Sequence, residues 1–360
     1  MLIDPHGTLA EAALECVPPH RHNHVCHLDV SDLSWPVGLN VLEDAHPDER
    51  AVLVDGLVSA MRSIWPDMWG PKLEQILRHS AIALIEIPNA SLVLLPRLLI
   101  DDAFRKSVVA RISNPFTRSF FEDRFEAWRD TFREQSIDPV LNKVEAFLGF
   151  PHIRNVLGQG RSTLHLDQAM ERGRIVIVNL AKSKIGETAA HLTGAFLIAS
   201  VLAKLRTGLT HDFHIHIDEA HNFNSLALLL QEARKFKVSV TAITQYLGAL
   251  DASTRAALIG TARTHAYFRL GSDDADLVAP SLNKEFEDFN PHTLRHLERG
   301  VAVLRIPGTN AREVDIPAPV RGRGNPEAVI KQSRLHYGVR REIVERNIMK
   351  ALGFNQQCSR

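Results

Sequence analysis

Three cysteines in 360 residues, Cys16, Cys26 and Cys358, are too few and too scattered to frame a fold with disulfides. The opening "MLIDPHG" also lacks the basic and apolar regions of a secretory leader. Both absences fit a reducing, cytoplasmic setting. Net charge is missing as well, with 42 Lys and Arg against 42 Asp and Glu. No global field therefore draws the chain to nucleic acid or to an anionic membrane, and any such contact must be local. Apolar runs such as "SLVLLPRLLI" and "GAFLIASVLAKL" fall short of the ~20 residues that span a bilayer and are broken by Arg or Lys. There is no internal repeat and no low-complexity tract.

What is present is the composition of a soluble globular chain, 45% hydrophobic and 23% charged, long enough for roughly two domains. "RIVIVNL" (174 to 180) is a short, continuous, β-branched run, the pattern of a parallel strand buried on both faces. "FHIHID" (213 to 218), "VSVTAIT" (238 to 244), "HAYFRL" (265 to 270) and "VAVLRI" (301 to 306) have similar length, and residues 2 to 3 with "HVCHLDV" (24 to 30) supply the first strands. Between the 213 and 238 strands, "NSLALLLQEARKF" has helical spacing at Leu226, Leu229, Leu230 and Ala233, so strand, helix and strand predict a parallel crossover.

Residues 44 to 165 change pattern. Leu53, Leu57, Met61 and Ile64 share one helical face, Leu73, Leu77, Ala81 and Leu84 another, and Phe121, Phe125, Trp128 and Phe132 continue the spacing. The expected organisation is an α/β domain begun by residues 1 to 43, an all-helical insertion over 44 to 165, and the rest of the α/β domain over 166 to 316. A linker in "IPAPVRGRGNP" and a basic helical tail complete it over 317 to 360.

The strand "FHIHID" delivers two adjacent carboxylates, Asp218 and Glu219, at its carboxyl end. Nucleotide hydrolysis needs such a pair: one carboxylate to hold Mg²⁺, often through water, and the next to polarise the attacking water. Asp218 takes the first role in this reading and Glu219 the second; the plainer alternative is an acidic helix start. The next strand ends in Gln245, able to hydrogen-bond both a lytic water and a γ-phosphate, and carboxyl ends of parallel strands are where such sites form.

"LIDPHGTLAEAAL", "WGPKLEQILRHSAIALIE", "LPRLLIDDAFR", "GRIVIVNLAKSKIGE", "HIDEAHNF", "LLQEARKFKVSVTAITQYLGAL", "AYFRLGSDDADLVA" and "QSRLHYGVRREIVE" follow one another in the order of a known family. The chain resembles, over nearly its whole length, the RecA-like hexameric DNA-pumping ATPases of the HerA and FtsK group, and within it the conjugative coupling proteins of type IV secretion. The resemblance implies a RecA-like fold and an ATPase whose Walker B strand is "HIDEAH". It also implies ATP and Mg²⁺ as cofactors, DNA as partner, a homo-hexamer, and docking on a membrane transport channel. It implies that Asp4 borders the nucleotide cleft and that an Arg acts in trans on the transferring phosphoryl group, with Arg269 the first candidate and Arg234 the second.

One part of the family pattern is missing, since no G-x-x-x-x-G-K-[ST] sequence occurs in the 360 residues. "GQGRST" (158 to 163) lacks the Lys and the first Gly, and no strand precedes it. In this fold class the P-loop strand lies beside the strand carrying Gln245, so its absence would leave ladder groups open. The expectation is a RecA-like sheet truncated at its N-terminus, inactive as this chain alone: a fragment, one piece of a split ATPase, or a degenerate subunit. The alternative to a DNA translocase is a non-catalytic structural or regulatory subunit that joins an ATPase ring or contacts DNA.

Other motifs carry less. "CVPPHRHNHVCH" matches no zinc spacing, and as a strand it would put His24 and Cys26 on one face and His27 on the other. His214 and His216 read as core histidines satisfied by neighbours. "DEAH" lacks the downstream motifs of an RNA helicase. For DNA phosphates the candidates are Arg321, Arg323, Lys331, Arg334, Arg340 and Arg341.

Overall fold

The computed structural model describes residues 1–43, 46–205, 208–223, 226–282 and 289–354; Cys358 and the first two residues of the expected insertion, 44 and 45, lie outside them. Five parallel strands, β1 (Leu2–Asp4), β2 (Val25–Asp29), β3 (Ile175–Asn179), β4 (Phe213–Ile217) and β5 (Val238–Ala242), form one sheet in the order β2-β3-β1-β4-β5. In register, Asp4 lies opposite Asn179 and Ile3 opposite Ile217, so the ends of three central strands are level.

Burial follows sequence pattern strand by strand. In β3, Val176, Ile177 and Val178 are all buried, as a continuous apolar run requires. In β4 burial alternates: Phe213, Ile215 and Ile217 are inside while His214 and His216 are exposed. The two histidines are therefore not core residues, and their alternation with apolar neighbours marks a strand with one solvated face. His214 Nδ1 lies 2.5 Å from Ser239 Oγ on β5. Among the described residues β5 pairs with β4 alone and leaves its outer edge free.

Helices occupy the stretch between β2 and β3. Leu53, Leu57 and Met61 on Pro47–Ile64, and Leu73, Leu77, Ala81 and Leu84 on Pro71–Ile85, are buried as their spacing predicts. The aromatic series does not continue as one helix. Phe121 and Phe125 lie in a π-helical turn, Phe120–Phe125, and the next helix starts only at Asp130. There the rings satisfy one another: Phe125 meets Trp128, Trp128 stands edge-on to Phe132, and Lys72 Nζ sits 4.2 Å over the Phe132 ring.

The helix Glu187–Leu205 contains "GAFLIASVLAKL" and extends it to 19 residues, long and apolar enough by length and composition to cross a membrane. It is instead mostly buried, packed against Pro47–Ile64, and apolar all round because it is a core helix. The two helices meet so closely that a Cβ on Gly56 would lie 2.4 Å from Ala199 Cβ.

"HAYFRL" and "VAVLRI" are strands of a different sheet. β6 (His265–Tyr267), β7 (Val301–Arg305) and β8 (Arg312–Asp315) pair antiparallel in the order β6-β7-β8 over a small core that includes Ala275, Val278, Leu294 and Val303. The tail helices Pro326–Tyr337 and Arg341–Ala351 bury Val329, Val344 and Ile348, and the His27 N–H donates to Ser333 Oγ at 2.8 Å.

Gly56→Val should cost about 1–3 kcal/mol, because Pro47–Ile64 and Glu187–Leu205 cannot separate without opening the core. Urea unfolding measures this; an unchanged midpoint would mean that the two helices are not in contact.

Candidate active site

Asp4 ends β1 and is completely buried. Its Oδ1 accepts the His6 N–H at 2.8 Å and its Oδ2 the Ala10 N–H at 2.8 Å, so the carboxylate ties the "DPHG" turn to the start of the helix Thr8–Glu15. Gly7 completes the turn at φ 97°, where any Cβ would lie 2.7 Å from Asn179 Oδ1 on β3. The turn brings His6 across to β4, with its Nε2 3.0 Å from Glu219 Oε1.

Glu219 directly follows Asp218 beyond the end of β4 and has φ 46°, ψ 54°, a left-handed conformation that costs a non-glycine residue about 1–3 kcal/mol. Its surroundings hold it there. The next amide, of Ala220, donates to the Ile243 carbonyl at 2.7 Å. Gln245 Nε2 donates to Oε1 at 2.7 Å, Asn222 Nδ2 to Oε2 at 3.2 Å, and His221 Nε2 stands 3.9 Å from Oε2. Burial alone would raise the pKa of this side chain, only 7% exposed, but the hydrogen bond and charge of His6, the Asn222 amide and the nearby His221 together hold it below the usual glutamate range.

Asp218 is shifted the other way. Burial, with the carboxylates of Asp4 and Glu219 nearby, pushes it above the usual aspartate range, against the opposing pull of the Glu219 amide and of His6. Two adjacent carboxylates thus have divergent environments, the arrangement that separates a charge-bearing ligand from a poised base. Among the described residues no group of three or more His, Cys, Asp or Glu could enclose a metal ion. Asp218 fits a cation, because positive charge beside it would offset the burial and the neighbouring carboxylates that raise its pKa.

Of the residues expected at the site, Asp4, Asp218, Glu219 and Gln245 are brought together. His6 and Asn222 join them unforeseen, though both stand in quoted motifs, "DPHG" and "HIDEAHNF". Arg269 and Arg234 make none of the contacts at the carboxylates. Arg269 is exposed just past β6 and pairs with neither Asp273 nor Asp274; Asp274 instead accepts the Leu247 N–H at 2.8 Å. Arg234 is exposed on the turn Ala233–Phe236.

The DNA candidates divide. Arg334 pairs with Asp32 at 2.8 Å, Arg341 with Glu345 at 2.7 Å, and Arg340 lies over the Trp35 ring at 5.6 Å. Arg321, Arg323 and Lys331 are exposed. Cys26 of the Cys and His cluster is fully buried, which pushes its thiol far above the usual range, while His24 is exposed in the turn before β2.

The parallel sheet, with a carboxylate pair at the end of one strand and a glutamine beyond the next, is that of a mixed α/β fold of the RecA-like type. Solved structures of similar fold include the bacterial plasmid coupling protein TrwB. Bound to ADP and Mg²⁺ it has a TM-score of 0.64 at 13% identity, covering 91% of this chain and 80% of that one. Bound to a non-hydrolysable ATP analogue it gives 0.64 at 15%, with the same coverage. VirB4 of Thermoanaerobacter pseudethanolicus gives 0.55 at 12%, covering 88% of this chain and 81% of that one. At these identities the likeness is one of fold. No protein-family model matches the sequence, and no curated protein does.

Asp218→Asn should raise the melting temperature at pH 7, by about 1–2 °C, by removing an ionised group that burial and its neighbours disfavour. A raised folded pKa means that the native state holds the proton more tightly, so wild-type stability falls as pH rises through that value. The advantage of the variant should therefore vanish below the ordinary aspartate pKa. Thermal melts across pH check this, and a variant less stable at pH 7 would contradict the reading of the site.

Proposed function

We propose that the chain is the catalytic-carboxylate part of an ATP-driven DNA translocase, the coupling ATPase of a conjugative or type IV secretion system. The observation that carries this reading is Glu219 held in a left-handed backbone conformation with Gln245 Nε2 2.7 Å away, at the end of a central parallel strand. The likeness in fold to TrwB, solved with ADP and Mg²⁺, supports it.

In this reading Asp218 would hold Mg²⁺, which would supply positive charge to offset that of the phosphate oxygens. Glu219, kept ionised by His6 and Asn222, accepts a hydrogen bond from the attacking water and orients it. Gln245, from the neighbouring strand, links Glu219 to the γ-phosphate position, so a ligand there would compete for its amide. Asp4 serves by holding the turn that presents His6. Arg269 and Arg234, both exposed, are free to act on the site of a neighbouring copy in a hexameric ring. Arg321, Arg323 and Lys331 would contact DNA phosphates, and the assembly would work in the cytoplasm against a membrane channel.

The second reading is a non-catalytic subunit of such a ring. It is favoured by the occupied state of Glu219, whose two oxygens already accept from His6, Gln245 and Asn222. Hydrolysis of Mg-ATP, with and without DNA, separates the two once a P-loop strand is supplied at the N-terminal side of β1. Glu219→Gln should then keep ATP binding and lose turnover by about 10²–10⁴-fold. Undiminished turnover would remove Glu219 from the mechanism, and no turnover in the unsubstituted chain would favour the subunit reading.

A further inference from the structure

The sheet of β6, β7 and β8 is apolar on both faces, and only one of them is packed on a core. Tyr267, Val301 and Val303 belong to the small core with Ala275, Val278 and Leu294. The residues between them fall on the outer face, where Ala266 lies opposite Leu304 and Ala302 opposite Val314. None of these four joins any of the three hydrophobic cores of the described residues. Ala266 is exposed, Leu304 and Val314 are partly so, and past the strand ends Phe268 is 50% and Ile316 42% exposed. Arg312 is the one charged residue among the paired positions of this face. An antiparallel sheet that meets water on one face carries polar residues there, so an apolar outer face marks an interaction surface.

Two observations say what packs on it. Past the end of β5, Ile243 and Tyr246 bracket Gln245 and are 44% and 57% exposed, so the carboxylate site has an apolar surface beside it. Charge is complementary too: Arg269, next to Phe268, is exposed with no carboxylate partner among the described residues, while Asp218 lies close to the carboxylates of Asp4 and Glu219. Both surfaces remain open within one chain, and a contact between two different surfaces joins copies head to tail. We propose that the outer face of β6, β7 and β8, with Phe268 at its centre, docks a second copy of this chain by that copy's Ile243 and Tyr246 surface. The proposal rests on the ring reading above for the role of Arg269, and adds the surface; the association it requires needs no hydrolysis.

Analytical ultracentrifugation of the full chain over a concentration series tests it. The expected result is reversible self-association, weakened about tenfold or more by Phe268→Ser and, independently, by Tyr246→Ser. Both side chains are half-exposed, so the variants should fold, which circular dichroism verifies. A chain that stays monomeric, or association that either variant leaves intact, overturns the proposal. Cysteine pairing reads the geometry: in a Cys16→Ser, Cys358→Ser background, a Phe268→Cys chain mixed with a Tyr246→Cys chain should form a disulfide, and neither should couple to itself. A Phe268→Cys chain that couples to itself would mean that the face meets its own image, and the head-to-tail assignment is wrong. Association with the expected properties, in a chain that hydrolyses no ATP once given a P-loop strand, upholds the proposal and removes only the catalytic reading.

Discussion

A nearly buried carboxylate must find donors, and the site is organised around how Glu219 finds them. Its backbone is in a conformation that a glutamate adopts only under constraint, and the constraint comes from three directions. His6 arrives from the turn after β1, Asn222 from the turn after β4, and Gln245 from the segment after β5. Asn222 belongs to the same turn as Glu219, while His6 and Gln245 depend on the parallel register that sets the strand ends level. A shift of β1 or β5 would take away a cross-strand donor from a nearly buried carboxylate, a loss that costs about 1–3 kcal/mol or more.

Asp4 is satisfied locally, by the segment that follows it. A fully buried aspartate in the middle of a sheet would be a liability, but both of its oxygens take backbone amides of the turn and helix that follow. Its role is architectural: it fixes the turn, the turn fixes His6, and His6 reaches Glu219. Asp218, with fewer donors and two carboxylates close by, carries the unfavourable charge of the cluster. The pair is thus split by environment and not by residue type.

Local pattern made much of this legible in the sequence. The continuous run at 175 to 179, the carboxylates after "FHIHI" and the glutamine after "VSVTAIT" all fall where burial and strand order place them. What escaped depends on contacts distant in sequence. His6 and Glu219 are joined only by the pairing of β1 with β4, and nothing in "DPHG" names that partner. The antiparallel sheet of β6, β7 and β8 escaped because length and apolarity do not tell a strand which neighbour it has. The alternation in "FHIHI" did announce a solvated face for His214 and His216, and the assumption of a doubly covered sheet overrode it.

The central claim is that the fold drives the two neighbouring carboxyl groups in opposite directions. Carboxyl-carbon NMR of the labelled chain, followed through a pH titration and assigned with Asp218→Asn and Glu219→Gln, measures this directly. The account predicts that Asp218 titrates above the ordinary aspartate value and Glu219 below the ordinary glutamate value. Ordinary values for both, or the reverse order of shifts, would contradict it.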